Sequence, residues 1–255
     1  MKLLSWNVAG RTGVMDRQAE GVERRGPDLV CLQEVRASTA PRWRAALAHH
    51  GLVHALDSFE VAPPRRLFNL TASRWELNPL PGILAPQPER VLGVVCESPW
   101  GQVEIWNAHI PPAPSNGLIK AETCEALFAE LARTATRHRI LCGDLNTPRY
   151  ESEAGDIETF ASNHPFDEER WDAAERSLLE GLAEWDLPDV FRALNGYGRR
   201  DVSWVFNTRA RRKAAHRLDH VMASGSLRAT HCDYVHEWRE AGLSDHSAME
   251  TIFEP

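Results

Sequence analysis

The stretch ILCGDLNTP, from Ile140 to Pro148, joins an apolar run to two polar side chains. Successive side chains of a strand point to opposite faces, so Asp144 and Asn146, two positions apart, are predicted to share one face. A carboxylate beside an amide at the end of a buried strand suggests a functional site. Asp, Asn and Pro are also ordinary turn residues, so the stretch could simply end a strand. The rest of the chain must decide between the two interpretations.

Apolar runs of this kind alternate with helical patterns along the chain. Besides Ile140–Gly143, buried strands are predicted over Lys2–Val8, Asp28–Gln33, Val91–Cys96 and Val103–His109. From apolar spacing and from start and stop residues, helices are predicted over Arg42–His50, Leu118–Arg137 and Phe166–Trp185. This alternation favours an α/β or α+β sandwich, and the loop-rich middle of the chain disfavours a regular TIM barrel.

Composition limits the class of protein. Of 255 residues, 43% are hydrophobic and 25% are charged, so we expect one globular domain over residues 1–255. The five cysteines are scattered without CxxC spacing, which argues against a disulfide framework or a zinc cluster and fits a reducing cytoplasm. No apolar run approaches the length of a membrane span, so we expect no contact with a membrane. The oligomeric state is open, and a monomer is favoured.

The net charge of −7 argues against a protein that coats nucleic acid over its whole surface. Charge is distributed unevenly, because the segment from Arg199 to Arg217 holds seven basic residues and one acidic residue. Trp204 lies in this segment, where its indole can stack on a base. The neighbouring guanidinium groups that can neutralise phosphates are those of Arg209, Arg211 and Arg212. A solvated basic hairpin with a buried Trp is the alternative interpretation.

A polar side chain at or near the end of an apolar strand occurs in six segments. Besides Asp144 and Asn146, the polar residues concerned are Asn7, Glu34, Asn107, His109, Asp219, Asp245 and His246. In layered α/β folds, sites are commonly assembled from strand ends and the loops just beyond them. Taken singly, each residue could be part of a solvated turn or a structural histidine. One converging site accounts for all six segments at once.

Taken together, the six segments are similar to the ordered motifs of the endonuclease/exonuclease/phosphatase superfamily. In chain order they are SWNVAG, LVCLQEV, NAHIPPA, GDLNTP, RLDHVMAS and LSDHSAM, and a weaker match is FNLTASR at Phe68–Arg74. Within the superfamily, the segments PFDEERW, LPDVFRALN and VSWVFNTRARR most resemble the exonuclease III-type AP endonucleases. The resemblance implies a DNase I-like, four-layer α/β (α+β) sandwich, in which two mixed β-sheets pack face to face between helices. It also implies divalent-metal hydrolysis of phosphate esters.

The resemblance further implies a metal site. Glu34 would be the principal ligand, with Asn7 and Asp245 close to the metal. Hard oxygen ligands suit Mg²⁺ or Mn²⁺, so one of these ions is the expected cofactor. AP endonucleases of this branch usually carry an Asp where this chain has Ala9, and the loss of that oxygen ligand puts the preference for one metal in doubt.

The remaining roles that the resemblance implies concern the reaction. Asp144 would orient and deprotonate the attacking water, and Asn146 would hold that water or a phosphate oxygen. His246, supported by Asp219, would contact the scissile phosphate as a charged imidazole. His109 stands where this branch usually has Tyr, and it can still donate a hydrogen bond to phosphate.

The favoured function is a divalent-metal-dependent phosphodiester hydrolase, of the AP endonuclease or 3′-exonuclease type, with DNA as the partner held at the local basic segment. The alternative is a metal-dependent phosphatase or phosphodiesterase that acts on a small-molecule or lipid phosphate ester. A non-catalytic scaffold is least favoured, because it would have lost Glu34, Asp144 or His246 and all three are present.

Overall fold

Strands and helices alternate along the chain in this computed structural model, which describes residues 1–112, 117–163, 167–207 and 213–254. In chain order the strands are β1 (Lys2–Asn7), β2 (Leu29–Val35), β3 (His54–Asp57), β4 (Phe68–Ser73), β5 (Leu77–Pro79), β6 (Val91–Ser98), β7 (Gly101–His109), β8 (His138–Asp144), β9 (Tyr150–Glu151), β10 (Ile157–Glu158), β11 (Trp204–Asn207), β12 (Lys213–His216), β13 (Asp219–Ala223), β14 (Arg228–Val235) and β15 (Ala248–Glu254). The helices are α1 (Met15–Arg25), α2 (Ala40–His49), α3 (Ile119–Leu131), α4 (Glu168–Leu179), α5 (Val190–Asn195) and α6 (His236–Glu240).

Most strands belong to two mixed sheets with a similar plan. One has the order β14-β15-β1-β2-β4-β3, and the other has the order β13-β8-β7-β6-β5. Each contains one parallel pair, β1 with β2 and β7 with β8, and its other pairs are antiparallel. A parallel pair needs a crossover connection, which α1 and α3 supply. The strands β9 and β10 form a small ribbon, and so do β11 and β12.

The two sheets face each other, and their alternating side chains build separate layers. Leu3 and Ile140 belong to the apolar core between the sheets. Their strand neighbours Leu4 and Leu141 lie on the outer faces, with Leu4 under α1 and α2 and Leu141 under α3 and α4. This period of two follows from the pleat of a strand. The result is the predicted four-layer sandwich of helices, sheet, sheet and helices.

The five predicted strands are all present, whereas the helix predictions need correction. The helix predicted to reach Arg137 ends at Leu131, because the Arg139 guanidinium donates to the carbonyl groups of Leu131 (2.8 Å) and Arg133 (3.0 Å) and ends the helix there. The helix predicted over Phe166–Trp185 is α4 followed by a separate 3₁₀ turn.

Helix α1 was not predicted, although it carries a recognisable signal. Met15, Ala19 and Val22 recur at helical spacing and are buried, and Gly26 ends the helix in the left-handed conformation that glycine adopts without penalty. Its many charged residues obscure that stripe. A search for apolar spacing alone can therefore miss a helix whose outer face is charged.

Two further features concern the cysteines and the helices. All five cysteines are buried and free. Among the residues that the structure describes, no helix is long and apolar enough to cross a membrane.

The sheets bring the predicted site residues to one end of the sandwich. Asn7 ends β1 and Asp144 ends β8, while Asp219 begins β13, which runs antiparallel to β8 with Asp219 opposite Asp144. His109 ends β7, beside Asp144 in the parallel register. Because the parallel strands of both sheets end at the same edge, residues far apart in sequence meet there.

Candidate active site

A cavity of about 360 Å³ opens at this end of the sandwich. Its polar wall consists of Glu34, His109, Asp144, Asn146, Asp245 and His246. Its apolar wall includes Phe160, Trp204, Ala214 and Leu218. A concave site with a few convergent polar groups is the usual form of a binding or catalytic site. The structure therefore gathers most of the residues that the sequence analysis proposed.

Asn7 links the two carboxylates contributed by β2 and β8. Its side-chain amide donates to Asp144 Oδ2 (2.9 Å) and lies 3.4 Å from Glu34 Oε1. Glu34 has a positive φ of 58°, and the pairing of β2 with β4 shifts register between Leu32 and Val35. A positive φ is strained for a residue other than glycine, and strain of this kind clusters at functional sites.

A row of three side chains borders the cavity, in the order Asp219, His246 and Asp144. His246 Nδ1 lies 2.8 Å from Asp219 Oδ2, and His246 Nε2 lies 3.7 Å from Asp144 Oδ2. Asp219 is itself fixed, since its carbonyl oxygen accepts from the Tyr234 hydroxyl (2.7 Å) and its amide donates to Ser203 Oγ (3.1 Å). Burial opposes a charged imidazole, but the carboxylates of Asp219 and Asp144 outweigh it and raise the pKa of His246 to about 10. His246 is therefore an imidazolium at neutral pH.

The carboxyl group of Asp144 is unusually basic. Burial is the largest cause, and the nearby Asp219 carboxylate adds to it, so that the pKa of Asp144 rises to about 7 despite the opposing effects of His246 and Asn7. Burial also raises the pKa of Glu34. A carboxyl group whose pKa lies near neutrality, as that of Asp144 does, is suited to accept a proton from a reacting group.

Asn146 presents an acceptor to the cavity. Its backbone has a φ of 52°, its amide donates to Asp144 Oδ1 (3.0 Å), and its side-chain NH₂ group donates to the Ile110 carbonyl (2.8 Å). A carbonyl can only accept, so the NH₂ group must face Ile110 and the side-chain oxygen is the atom left for a ligand. That oxygen can accept a hydrogen bond from water.

Trp204 forms part of a stack of rings beside the polar wall. Its indole N–H donates to Asp245 Oδ2 (3.1 Å), which fixes the ring. His216 and Phe206 lie parallel to it, with centroids 5.9 Å and 5.7 Å away. The Trp204 side chain is half-buried and lines the cavity, which differs from the alternative interpretation of a solvated basic hairpin with a buried Trp.

Comparison with known proteins agrees with this geometry. A sequence profile described as the Endonuclease/Exonuclease/phosphatase family matches residues 4–246. The chain belongs to this family. A DNA-(apurinic or apyrimidinic site) endonuclease from Dictyostelium discoideum is 26% identical over 245 residues, in a match that covers 89% of this chain and 63% of that protein. The chain thus spans less than two thirds of the length of this curated relative.

Solved structures of the Endonuclease/Exonuclease/phosphatase type share the fold. An AP endonuclease from Archaeoglobus fulgidus superposes with a TM-score of 0.74 at 18% identity, and the match covers 100% of both chains. The 3′ phosphatase NExo from Neisseria, bound to a product DNA hairpin, superposes with a TM-score of 0.68 at 19% identity, again over 100% of both chains. These similarities confirm the predicted DNase I-like sandwich.

The metal that this family implies fits the residues present. Asp245 Oδ1 is buried and has no hydrogen-bond partner among the described residues, and Glu34 is a partly exposed carboxylate on the same cavity. Asp144, Asp219 and His246 form a second candidate cluster, whose ligand atoms lie within 4.8 Å of one another. In that cluster the hydrogen bond between Asp219 and His246 already occupies one imidazole nitrogen. Glu34 and Asp245 therefore have the freer oxygen atoms.

Arg90 is a site residue that the sequence analysis missed. Its guanidinium Nη1 lies 2.9 Å and 3.0 Å from the two ring nitrogens of His109. Burial, followed by the charge of Arg90, lowers the pKa of His109 well below its usual range, so this imidazole is neutral. His109 Nε2 lies 3.5 Å from Glu34 Oε1. A single Arg in a proline-containing loop carries no local signal that would have identified it.

The segment Arg199–Arg217 was expected to offer free guanidinium groups to phosphates, and the structure differs from this expectation in part. Arg209, Arg211 and Arg212 lie outside the described residues. Arg199 forms ion pairs with Asp201 (2.9 Å) and Asp233 (2.5 Å), and Arg217 is buried against carboxylates of its own. These two guanidinium groups are neutralised within the protein and do not form a free basic surface.

Proposed function

We propose that this protein is a divalent-metal-dependent phosphodiester hydrolase that acts on DNA, of the AP endonuclease or 3′-exonuclease type. One observation carries the proposal. Asp144, a buried carboxyl group with a pKa of about 7, lies 3.7 Å from the His246 imidazole on a cavity that also presents the Asn146 side-chain oxygen. A base, a cation and a water acceptor on one cavity are the groups that phosphate-ester hydrolysis needs.

Asp144 acts as the general base. Its pKa near neutrality lets the carboxylate take a proton from water at physiological pH, and the Asn7 amide holds the carboxylate in place. The side-chain oxygen of Asn146 accepts a hydrogen bond from the same water. The two residues thus orient one water for attack. Asn146 does not share a strand face with Asp144 as predicted, because β8 ends at Asp144 and Asn146 follows it with a φ of 52°.

His246 stabilises the negative charge that develops on the oxygens bound to phosphorus. Asp219 accepts from Nδ1, so the second N–H of the imidazolium points towards Asp144 and the cavity. The neutral imidazole of His109 donates a hydrogen bond to a phosphate oxygen.

Glu34 and Asp245 would hold the divalent cation, with Asn7 close by. A bound Mg²⁺ or Mn²⁺ supplies Lewis-acid stabilisation of negative charge on the phosphate oxygens. The hard oxygen donors and the unpartnered Asp245 Oδ1 support this assignment.

Two observations support DNA as the substrate. Trp204 places an aromatic ring on the apolar wall of the cavity, and nucleotides commonly stack on such rings. The Dictyostelium relative is an endonuclease for apurinic or apyrimidinic sites.

The test is hydrolysis of a duplex that contains one abasic analogue, compared with an intact duplex and a bis-aryl phosphodiester. Each reaction contains Mg²⁺, Mn²⁺ or EDTA. We expect metal-dependent cleavage at the abasic position. Absence of cleavage of any DNA, at any metal concentration, would contradict the proposal.

A phosphatase or phosphodiesterase for a small phosphate ester is the second candidate. The net charge of −7 and the internal ion pairs of Arg199 and Arg217 favour it, because they reduce the attraction of a DNA backbone. Metal-dependent hydrolysis of the bis-aryl diester alone, unaffected by salt, would select this function.

A further inference from the structure

A buried ion pair joins α3 to α4 beneath one wall of the cavity. Lys120 Nζ lies 2.6 Å from Glu175 Oε1, and the side chains are 1% and 0% exposed. Lys and Glu are almost never fully buried unless they are paired, because removing each charge from water is costly. An arrangement with this cost calls for an explanation beyond the packing of two helices.

The Glu175 carboxylate is saturated with donors. Besides Lys120, Oε1 accepts from the Trp171 indole (2.6 Å), while Oε2 accepts from the Thr147 hydroxyl and from the Phe160 amide (3.1 Å). Four donors occupy the lone-pair positions that a carboxylate offers. Two of these donors belong to segments that form the cavity.

Lys120 reaches the same two segments. Its ammonium donates to the Asn146 carbonyl (2.8 Å) and lies 4.9 Å from the centroid of the Phe160 ring. Asn146 and Phe160 both line the cavity, from its polar and its apolar wall. Because Asn146 has a φ of 52°, its backbone keeps this conformation only where its surroundings hold it.

We propose that Lys120 and Glu175 are positioning residues, which fix the Asn146 side chain and the Phe160 ring relative to Asp144. Neither contacts the substrate. The inference rests on the proposed function, since Asn146 matters only if it orients the attacking water. A displacement of about 1 Å in such a group can cost about 100-fold in rate.

Glu104 offers a matched control. It is also a buried carboxylate that accepts from an indole, Trp106 Nε1 (2.8 Å), and from a cation, Arg133 (2.6 Å). It lies near the start of β7, whereas the site residue His109 ends that strand. Glu104 and Glu175 are therefore both buried and both accept from an indole and a cation, but among the described residues Glu104 has no hydrogen bond to Thr147 or Phe160, whose segments form the cavity.

The experiment compares Glu175→Gln with Glu104→Gln for kcat and KM on the abasic duplex and the bis-aryl diester. We expect Glu175→Gln to lower kcat at least tenfold on every substrate that the wild type hydrolyses, with little change in KM. We expect Glu104→Gln to keep kcat within twofold. A wild-type kcat in Glu175→Gln would overturn the positioning role.

The double variant Lys120→Met/Glu175→Gln separates positioning from stability. It removes the unpaired charge that either single change leaves, so we expect its resistance to urea to exceed that of both single variants. Its kcat should stay low, because the one side-chain oxygen of Gln cannot accept from all three remaining donors, and the hydrogen bond from Lys120 to the Asn146 carbonyl is lost. Recovery of kcat together with stability would show that only charge balance matters, and would overturn the proposal.

Amide hydrogen exchange gives a readout that does not depend on activity. In Glu175→Gln, but not in Glu104→Gln, the amides of Asn146 and Phe160 should exchange faster than in the wild type. Unchanged exchange at both amides would contradict the positioning role even in an inactive protein. An inactive wild type with faster exchange in Glu175→Gln would instead contradict the proposed function.

Discussion

Two buried clusters of charged residues lie on either side of the segment Arg217–His220. The pKa values of their carboxyl groups are shifted in opposite directions. Asp219 faces His246 and Asp144 at the candidate site. Arg217 faces away, with its guanidinium 2.7 Å from Glu151. Both clusters contain carboxylates, yet the pKa of Asp144 is raised to about 7 and that of Glu151 is lowered to about 2.

The ratio of cations to carboxylates explains the difference. Burial alone would raise the pKa of Glu151, but hydrogen bonds from Arg217 and Arg192 reverse the effect. Arg217 also lies 2.8 Å from Asp189, whose pKa is lowered as well, although burial opposes this. We call these residues, Glu151, Asp189, Arg192 and Arg217, the arginine cluster.

At the candidate site, by contrast, carboxylates outnumber cations. Four carboxylates face two cations, the His246 imidazolium and the Arg90 guanidinium, so the site can take up a proton or a metal ion. The carboxylates are those of Glu34, Asp144, Asp219 and Asp245. The arginine cluster has its cations built in and has no such capacity. Buried carboxylates are therefore reactive or structural according to the cations that the fold places around them.

The largest expected effect is the loss of hydrolysis in Asp144→Asn. General-base catalysis contributes about 10²–10⁴-fold, so we expect a loss in this range with the fold retained. The measurement is single-turnover hydrolysis beside thermal unfolding. Wild-type turnover in this variant would remove Asp144 from the mechanism.

Arg217→Met tests the other cluster. It leaves Glu151 and Asp189 buried with fewer cations, and we expect a loss of about 3–5 kcal/mol of unfolding free energy. Urea denaturation measures this loss. A comparable loss in Asp144→Asn would contradict the distinction between a structural and a reactive cluster.

Glu34→Ala tests whether the excess of carboxylates serves to bind a metal. Loss of an oxygen ligand should raise the Mg²⁺ concentration needed for half-maximal activity by about tenfold or more. The matched control is Glu151→Gln, which should leave the titration unchanged. An unaltered Mg²⁺ titration in Glu34→Ala would remove this residue from the metal site.

The smallest effects are pH dependences of stability, measured in EDTA, and they have opposite signs. Because the pKa of Glu151 is about 2 in the folded state, below its ordinary value of 4.5, its contribution is present above pH 4.5 and is lost as the pH falls towards 2. Because the pKa of Asp144 is raised from 3.8 to about 7, its contribution declines as the pH rises through that interval. Glu151→Gln should flatten the first dependence, and Asp144→Asn should flatten the second. Dependences of the same sign would contradict the comparison.

Much of the fold was predictable because it depends on local patterns. Apolar runs predicted β1, β7 and β8, and the turn residues of GDLNTP marked the end of β8. The end of α3 was not predictable, since it is determined by Arg139, a residue on the following strand. Apolar spacing would also have predicted helix α1, if its buried stripe had been considered separately from its charged face.

The sequence by itself determined the family, five of the strands and the polar residue types at strand ends, because apolar runs and short motifs are local properties. Only the tertiary structure decided which side chains meet, as Arg90 with His109 and Lys120 with Asn146 show. It also decided that Asp144 is basic while Glu151 is acidic. The physical reason is that a pKa depends on burial and on charges a few ångströms away, and strands from distant parts of the chain supply both.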